Sequence, residues 1–129
     1  MDKAKRTALI VDDEKIMLDI ESLMLQKIGF DTLKASNSSE ACRLYEDEKE
    51  RIDIVVLDML MPDEKGTATY KRLKQMNPDI RVLISSGLEK DRDIEEILND
   101  GQHGFIQKPF KFEEFTNNID TVLSVRDRC

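Results

Sequence analysis

The sequence predicts an α/β fold in which five βα units form one parallel sheet covered by helices on both faces. Two observations support this prediction. Short apolar, β-branched runs recur along the chain, and stretches with helical spacing of apolar residues lie between them, which is typical of parallel strands joined by crossover helices. The 129 residues can bury one hydrophobic core without disulfides or structural metals. We therefore expect a single domain over residues 1–129.

The strands are predicted from the apolar runs in chain order. Residues 8–11, 54–57 and 82–84 are continuously apolar and should lie in the centre of the sheet, where helices cover both faces. Residues 32–35 are mixed in character and residues 104–107 form a short run, so both are expected at the edges. Right-handed crossovers then give a three-layer open α/β/α sheet with the flavodoxin-like strand order 2-1-3-4-5.

Five helices are predicted from apolar residues spaced three or four positions apart, each with one apolar face. The predicted faces are, in chain order, Ile16, Ile20, Leu23 and Lys27; Ala41, Leu44 and Tyr45; Tyr70, Leu73 and Met76; Ile94, Ile97 and Leu98; and Phe112, Phe115, Ile119, Val122 and Leu123. Gly29 and Gly101 follow the first and fourth patterns. We expect both glycines to end their helices in the left-handed conformation.

Charge and cysteine content exclude several classes of protein. The net charge of -7 argues against direct nucleic-acid binding, because contacts to a phosphate backbone need a concentrated Lys/Arg surface. No secretion signal is seen, and the apolar runs are shorter than a membrane span, so we expect a cytoplasmic protein with no membrane contact. Cys42 and Cys129 stand in unrelated contexts and are predicted to be reduced thiols.

Three carboxylates follow two of the predicted strands. Asp12 and Asp13 come directly after the first strand and Asp58 after the third, and these strands flank the crevice where an open α/β sheet binds ligands. Each aspartate taken alone could be a loop residue or a helix N-cap. Three carboxylates in one crevice repel one another, and Mg²⁺ would relieve that repulsion, since it binds through a few carboxylates and keeps several waters. The sequence therefore predicts a magnesium site.

A lysine and two serines are predicted at the same edge of the sheet. Lys108 follows the fifth strand and precedes Pro109; alone it would be a solvated lysine, but the Lys-Pro step restricts the chain and can hold a cis bond. Ser85 and Ser86 follow the fourth strand and alone would be turn residues. The edge thus offers a cation and a hydroxyl beside the carboxylates.

These residues resemble the receiver domain of bacterial response regulators, over essentially the whole chain. The matching pieces are Ile10-Val11-Asp12-Asp13-Glu14, Leu57-Asp58-Met59-Leu60-Met61-Pro62 with Gly66, Ser85-Ser86-Gly87, and Lys108-Pro109-Phe110. An isolated Asp-Asp or Lys-Pro pair is a weak signal, whereas the ordered set at successive strand ends is highly specific.

The resemblance implies a role for each matching acidic position. Asp58 would accept a phosphoryl group in a Mg²⁺-dependent reaction. Asp13 and Asp58 would bind Mg²⁺ directly together with the backbone carbonyl of Leu60, while Asp12 would act mainly through a metal-bound water. The donor would be a phosphohistidine on a sensor histidine kinase or on a histidine phosphotransfer protein. The chain would catalyse only its own phosphorylation and dephosphorylation, so no other enzymatic activity is expected.

The resemblance also implies a switch. Lys108 would contact the phosphoryl oxygens, and Ser86, which lies 22 residues before it, would be the switch hydroxyl. Phe105, three residues before the lysine, would be the aromatic switch residue and would turn inward. The surface formed by the fourth helix, the fifth strand and the fifth helix would carry the output and is a candidate homodimer interface.

Three other functions compete with this one. A phosphatase of the haloacid dehalogenase type needs a second aspartate two residues after the nucleophile, where this chain has Leu60. A degenerate receiver that only binds partners has no need of the complete acidic set. Nucleotide binding lacks a glycine-rich phosphate loop. The sequence leaves open whether the chain stands alone, carries phosphoryl groups in a phosphorelay, or belongs to a hybrid histidine kinase or larger regulator.

Overall fold

The computed structural model describes residues 5–61, 63–87 and 89–124, within which five strands and five helices alternate. The strands are β1 Arg6–Val11, β2 Phe30–Ala35, β3 Ile52–Asp58, β4 Val82–Ser86 and β5 Gly104–Gln107. The helices are α1 Lys15–Lys27, α2 Ser38–Glu48, α3 Gly66–Met76, α4 Arg92–Leu98 and α5 Phe112–Ser124. All strand pairs are parallel and the order is β2-β1-β3-β4-β5. The predicted flavodoxin-like fold is confirmed.

The sheet separates two hydrophobic clusters, one on each face. Residues of α2, α3 and α4 pack with Leu9 and Val55 on one face. Residues of α1 and α5 pack with Ile10 and Val56 on the other. Successive residues of β1 and β3 therefore point to opposite clusters, as a pleated strand requires, and this explains why the central strands read as continuous apolar runs. None of the helices in the described ranges has the length and apolar character needed to cross a membrane.

The predicted buried face of α1 is wrong. Ile16 is 66% exposed and Leu23 63% exposed, and Ile20 also faces solvent. The helix buries Leu18, Glu21, Ser22 and Leu25 instead. The two faces have the same spacing of three and four residues, and the solvent face contains more apolar side chains, so apolar periodicity selected the wrong one. Phe112, predicted to be part of the buried face of α5, is also exposed, while its other four predicted residues are buried.

The two faces of α1 should respond very differently to substitution. We expect Leu25→Ala to lower the free energy of unfolding by about 2–5 kcal/mol, because it leaves a cavity at a fully buried position. Leu23→Ser removes an exposed side chain and should change it by less than about 0.5 kcal/mol. Urea unfolding followed by circular dichroism measures both values, and a larger loss for Leu23→Ser than for Leu25→Ala would contradict the observed orientation of α1.

The two glycines predicted to end helices behave differently. Gly29 has φ 95° and its N–H donates to the carbonyl of Gln26, so the left-handed end of α1 is confirmed. Gly101 does not have a positive φ, and the prediction for α4 is wrong there. Glycine is needed at position 101 for space, since a Cβ would lie 2.7 Å from Nε2 of the His103 ring.

His103 has a structural role, in a hydrogen-bonded chain that joins α3 to the start of β4. Its Nδ1 accepts from the backbone N–H of Val82 at 3.1 Å, so the neutral ring carries its proton on Nε2 and donates to the Tyr70 oxygen at 2.8 Å. The Tyr70 hydroxyl in turn donates to Asp100 at 2.7 Å. Burial lowers the pKa of His103 to about 4, which keeps the ring neutral at physiological pH.

Candidate functional site

The carboxyl ends of β1 and β3 bring three carboxylates together. Asp12 and Asp13 directly follow β1, Asp58 is the last residue of β3, and one oxygen from each lies within 4.8 Å of the other two. Asp12 and Asp58 are buried, while Asp13 is exposed. A cluster of oxygen donors with one side open to water fits Mg²⁺, which retains water ligands when it binds to proteins. The predicted acidic set is therefore assembled by the fold.

Lys108 supplies the positive charge of this crevice. Its Nζ donates to Asp12 at 2.7 Å and lies 3.7 Å from Asp58. The backbone N–H of Lys108 donates to the carbonyl of Ser86 at 2.7 Å, and the Lys108–Pro109 peptide bond is cis. Burial opposes the charge of Lys108, but the hydrogen bond to Asp12 and the nearby carboxylates hold its pKa above the ordinary value. The ammonium group therefore stays charged between the two aspartates.

Asp58 has an unusual proton affinity. One of its oxygens accepts a hydrogen bond from the backbone N–H of Leu60 at 3.1 Å. Burial, assisted by the charges of Asp12 and Asp13, raises the pKa of Asp58 to about 6, although the Leu60 hydrogen bond and Lys108 oppose this shift. With this pKa, Asp58 is ionised at neutral pH, but its charge is poorly compensated. A bound cation would stabilise it.

Glu21 is a buried carboxyl group near the acidic cluster, and sequence reasoning missed it. It lies on the buried face of α1 with 1% of its surface exposed, and its Oε2 has no hydrogen-bond partner among the described residues. Burial raises the pKa of Glu21 to about 8, with Asp12 and Asp58 acting in the same direction and Lys108 against them. The available signal was its position between Leu18 and Leu25, three residues after one and four before the other.

The pleat of β4 places its two serines on opposite faces of the sheet. Ser85 pairs in register with Asp58 and therefore points to the same face, that of α1 and α5. Its hydroxyl is buried and has no hydrogen-bond partner among the described residues. Ser86 points to the opposite face, as do Ile84 and its register partner Phe105. The two predicted switch residues thus share one face, and Asp58 lies on the other.

The remaining residues singled out from the sequence are the aromatic switch residue Phe105, Leu60 and the two cysteines. Phe105 is half-buried against the cluster formed by α2, α3 and α4, and Nζ of Lys90 lies 5.9 Å from the centre of its ring. Leu60 has an exposed side chain. Cys42 is a buried free cysteine, whereas Cys129 lies outside the described residues.

Comparison of the sequence with known families and proteins gives a consistent result. The family model described as the response regulator receiver domain matches residues 8–120. The chain is 32% identical over 114 residues to the response regulator SaeR of Staphylococcus epidermidis. It is 29% identical over 121 residues to the sensor kinase CckA of Brucella abortus. These matches cover 86% and 94% of the chain but only 48% and 13% of those two proteins, so the chain spans about half or less of their length.

Comparison with solved structures leads to the same fold. A chain of the CheX–CheY–BeF₃–Mg²⁺ complex from Borrelia burgdorferi superimposes with a TM-score of 0.86 at 26% identity, covering 95% of this chain and 90% of that one. A response regulator receiver domain protein from Clostridium thermocellum gives 0.83 at 26% identity, covering 94% and 96%. Both similarities extend over nearly the whole chain.

Proposed function

The chain belongs to the response regulator receiver domain family, and we propose that it accepts a phosphoryl group on Asp58 in a Mg²⁺-dependent reaction. The observation that carries this proposal is the convergence of Asp12, Asp13, Asp58 and Lys108 in one crevice. A receiver that only bound partners would need neither the three carboxylates nor the half-buried lysine. The chain is one domain of a two-component system. Whether it stands alone or belongs to a hybrid kinase or larger regulator depends on its gene context.

The reaction transfers a phosphoryl group from nitrogen to oxygen. A carboxylate oxygen of Asp58 attacks the phosphorus of a phosphohistidine, the O–P bond forms as the N–P bond breaks, and the imidazole leaves with the electron pair and takes up a proton. Such a transfer has a loose transition state with negative charge on the equatorial oxygens, so catalysis is mostly positioning and electrostatic stabilisation. Apart from this transfer and the hydrolysis of the resulting aspartyl phosphate, in which water takes the phosphoryl group and the Asp58 carboxylate is released, no enzymatic activity is proposed.

The residues around Asp58 would have separate roles in binding Mg²⁺ and in balancing the negative charge. Asp13 and Asp58, with the backbone carbonyl of Leu60, would hold Mg²⁺, and Asp12 would bind it through water. When bound, the metal neutralises the carboxylates and the phosphoryl oxygens. Lys108 already lies between Asp12 and Asp58, so its ammonium group needs only a small movement to contact an oxygen of the incoming group.

The same proposal assigns the switch to β4 and β5. Ser86 would be drawn toward the phosphoryl oxygens, and because it shares a face of the sheet with Phe105, its displacement would open space for the ring to turn inward. The hydrogen bond from Lys108 to the Ser86 carbonyl couples the two strand ends. The surface of α4, β5 and α5 would then carry the output or form a homodimer, as a local event that biases a two-state surface.

The exposed face of α1 supports a protein donor for the phosphoryl group. Ile16, Ile20 and Leu23 form an exposed apolar stripe that begins one turn after Asp13. The exposed ring of Phe112 lies near the end of this stripe, since Nζ of Lys27 is 5.8 Å from the ring centre. Exposed apolar stripes beside a functional crevice are typical of protein contacts. We assign this stripe to a histidine kinase or histidine phosphotransfer protein, which has to approach Asp58 closely.

Intact-mass spectrometry after incubation with acetyl phosphate and Mg²⁺ tests the acceptor. We expect one phosphoryl adduct on the wild-type chain and none on Asp58→Asn. Asp79→Asn is the matched control, because Asp79 is exposed and precedes β4, at the end of the sheet opposite the crevice; it should label like the wild type. An adduct that persists in Asp58→Asn would refute the assignment, and a wild-type chain that never labels would favour the degenerate receiver.

A further inference from the structure

The loop between β3 and α3, of which the structure describes residues 59–61 and 63–65, is held at its base by backbone contacts. Leu60 and Lys65 form an antiparallel bridge, and the N–H of Gly66 donates to the carbonyl of Met59 at 3.0 Å. The N–H of Leu60 donates to Asp58 at 3.1 Å. Leu60, whose carbonyl is one of the proposed magnesium ligands, thus lies between Asp58 and the rest of this loop.

The tip of the loop is attached to the start of α2. One oxygen of Asp63 accepts from the backbone N–H of Ser38 at 3.0 Å, and the other accepts from that of Ser39 at 3.2 Å. These are unsatisfied N–H groups of a helix first turn, which bind carboxylates well. The hydrogen bonds, that to Ser38 foremost, hold the pKa of Asp63 below its usual range. The loop is therefore fixed to a helix 24 to 25 residues earlier in the chain.

Glu64 attaches the same tip to α2 and α3. Its Oε1 accepts a hydrogen bond from the buried hydroxyl of Ser38, which itself accepts from the buried Thr69 hydroxyl at 2.8 Å. Nη1 of Arg72 contacts both carboxylate oxygens of Glu64, at 2.8 and 3.0 Å. The Ser38 hydrogen bond and Arg72 lower the pKa of Glu64. Two adjacent acidic residues thus join the loop to two helices.

We propose that Asp63 and Glu64 are positioning residues of the magnesium site, acting through Leu60. A backbone carbonyl can serve as a metal ligand only if its peptide is held in place, and groups that orient metal ligands contribute strongly to metal affinity. The loop has one anchor on each side of Leu60: the Asp58 contact before it, and after it the clamp made by Asp63 and Glu64. This inference rests on the proposed function, since it requires that Asp58 and Leu60 bind Mg²⁺.

Substitutions at two residues of opposite charge, Glu64 and Arg72, test the clamp. Glu64→Gln removes a negative charge and Arg72→Met removes a positive one, so a purely electrostatic effect would shift Mg²⁺ affinity in opposite directions. Loss of positioning weakens binding in both. By isothermal titration calorimetry we expect the Mg²⁺ Kd to rise about tenfold in each variant. In labelling with acetyl phosphate, the half-saturating Mg²⁺ concentration should rise similarly, while the rate at saturating Mg²⁺ stays unchanged.

The controls separate the inference from the proposal on which it depends. Glu48→Gln breaks the exposed contact between Glu48 and Arg51, 2.6 Å apart at the far end of α2, and should leave Mg²⁺ affinity unchanged. Circular dichroism verifies that each variant is folded; Arg72 is exposed, so Arg72→Met should fold even if Glu64→Gln does not. If folded Arg72→Met binds Mg²⁺ with wild-type affinity, or if the Mg²⁺ affinities of the two variants shift in opposite directions, the positioning role is wrong while the proposed function still stands. A wild-type chain that binds no Mg²⁺ would overturn the proposed function as well.

Discussion

Glutamine in place of Glu21 is expected to remove most of a loss of stability that the wild-type chain undergoes as the pH rises from about 4.5 to about 8. An unfolded glutamate releases its proton near pH 4.5, whereas burial raises the pKa of folded Glu21 to about 8. Between these values the folded chain binds the additional proton, so its free energy of unfolding decreases with rising pH. Above about pH 8 both states are ionised and the loss is complete.

The expected size of this effect is large. The pKa shift corresponds to a difference on the order of 5 kcal/mol once Glu21 is ionised in both states. Oε2 of Glu21 has no hydrogen-bond partner among the described residues, and the apolar side chains of α1 and α5 offer none. Among the charged groups that act on Glu21, Lys108 stabilises the ionised carboxylate, whereas Asp12 and Asp58 destabilise it. Glutamine keeps the shape and carries no charge, so we expect similar stabilities at pH 4.5 and a more stable variant at pH 9.

Urea unfolding at pH 4.5 and pH 9, in buffer containing EDTA, measures this difference. Asp58, whose pKa is raised to about 6, adds a loss of the same sign over a lower range in both chains, so the comparison between them isolates Glu21. Glu46→Gln is the control, because Glu46 is exposed on α2; its stability should follow the wild type. If wild type and Glu21→Gln lose the same stability between the two pH values, the buried carboxyl group is not the cause.

Alanine at position 66 is expected to destabilise the chain severely and to displace the loop that holds Leu60. A Cβ at Gly66 would lie 2.7 Å from the Cα of Met59 and 2.6 Å from its Sδ. The sulfur can rotate away, but the Cα belongs to the backbone next to Asp58, so the loop itself has to move. Overpacking of this kind costs about 1–3 kcal/mol, and the hydrogen bond from Gly66 to Met59 would weaken as well.

Gly87→Ala is the matched control for Gly66→Ala. Gly87 also lies at an edge of the crevice, directly after β4, but nothing lies within 4 Å of a Cβ built there and its φ is not positive. Thermal unfolding should show a melting temperature at least about 4 °C lower for Gly66→Ala and little changed for Gly87→Ala. Equal melting temperatures for Gly66→Ala and the wild type would show that the loop accommodates a methyl group without strain.

The sequence predicted the sheet well because buried parallel strands are recognisable locally. The continuous apolar runs around Ile10, Val56 and Leu83 are typical of strands covered on both faces, and the flavodoxin-like order is one of the two common orders of such a sheet. The acidic crevice followed from that order, since it requires only that residues after β1 and β3 lie at one edge. Roles that depend on ligands, such as that of Ser86, remain predictions.

The features that sequence reasoning missed depend on contacts distant in the chain. The hydrogen bonds of Asp63 and Glu64 to the start of α2 could not be predicted from neighbouring residues, because Ser38 lies 25 residues before Asp63. The orientation of α1 failed for a different reason. Its buried face includes Glu21 and Ser22, so the more apolar face, with Ile16 and Leu23, is the one that points to solvent. Apolar periodicity assumes that burial follows hydrophobicity, and here it does not.

Under the proposed function, the opposite orientations of Ser85 and Ser86 mean that an effect of phosphorylating Asp58 would have to pass from one face of the sheet to the other before it could reach Phe105. The hydrogen-bonded sheet separates the two hydrophobic clusters, so a side chain on one face cannot contact a side chain on the other through it. At the carboxyl end of β4, Ser85 lies beside Asp58 on one face, and Ser86 lies on the same face as Phe105. If the proposed function holds, we expect a slight twist of the last two residues of β4 to move both hydroxyl groups, so that β4 would carry an effect of phosphorylation from one face of the sheet to the other.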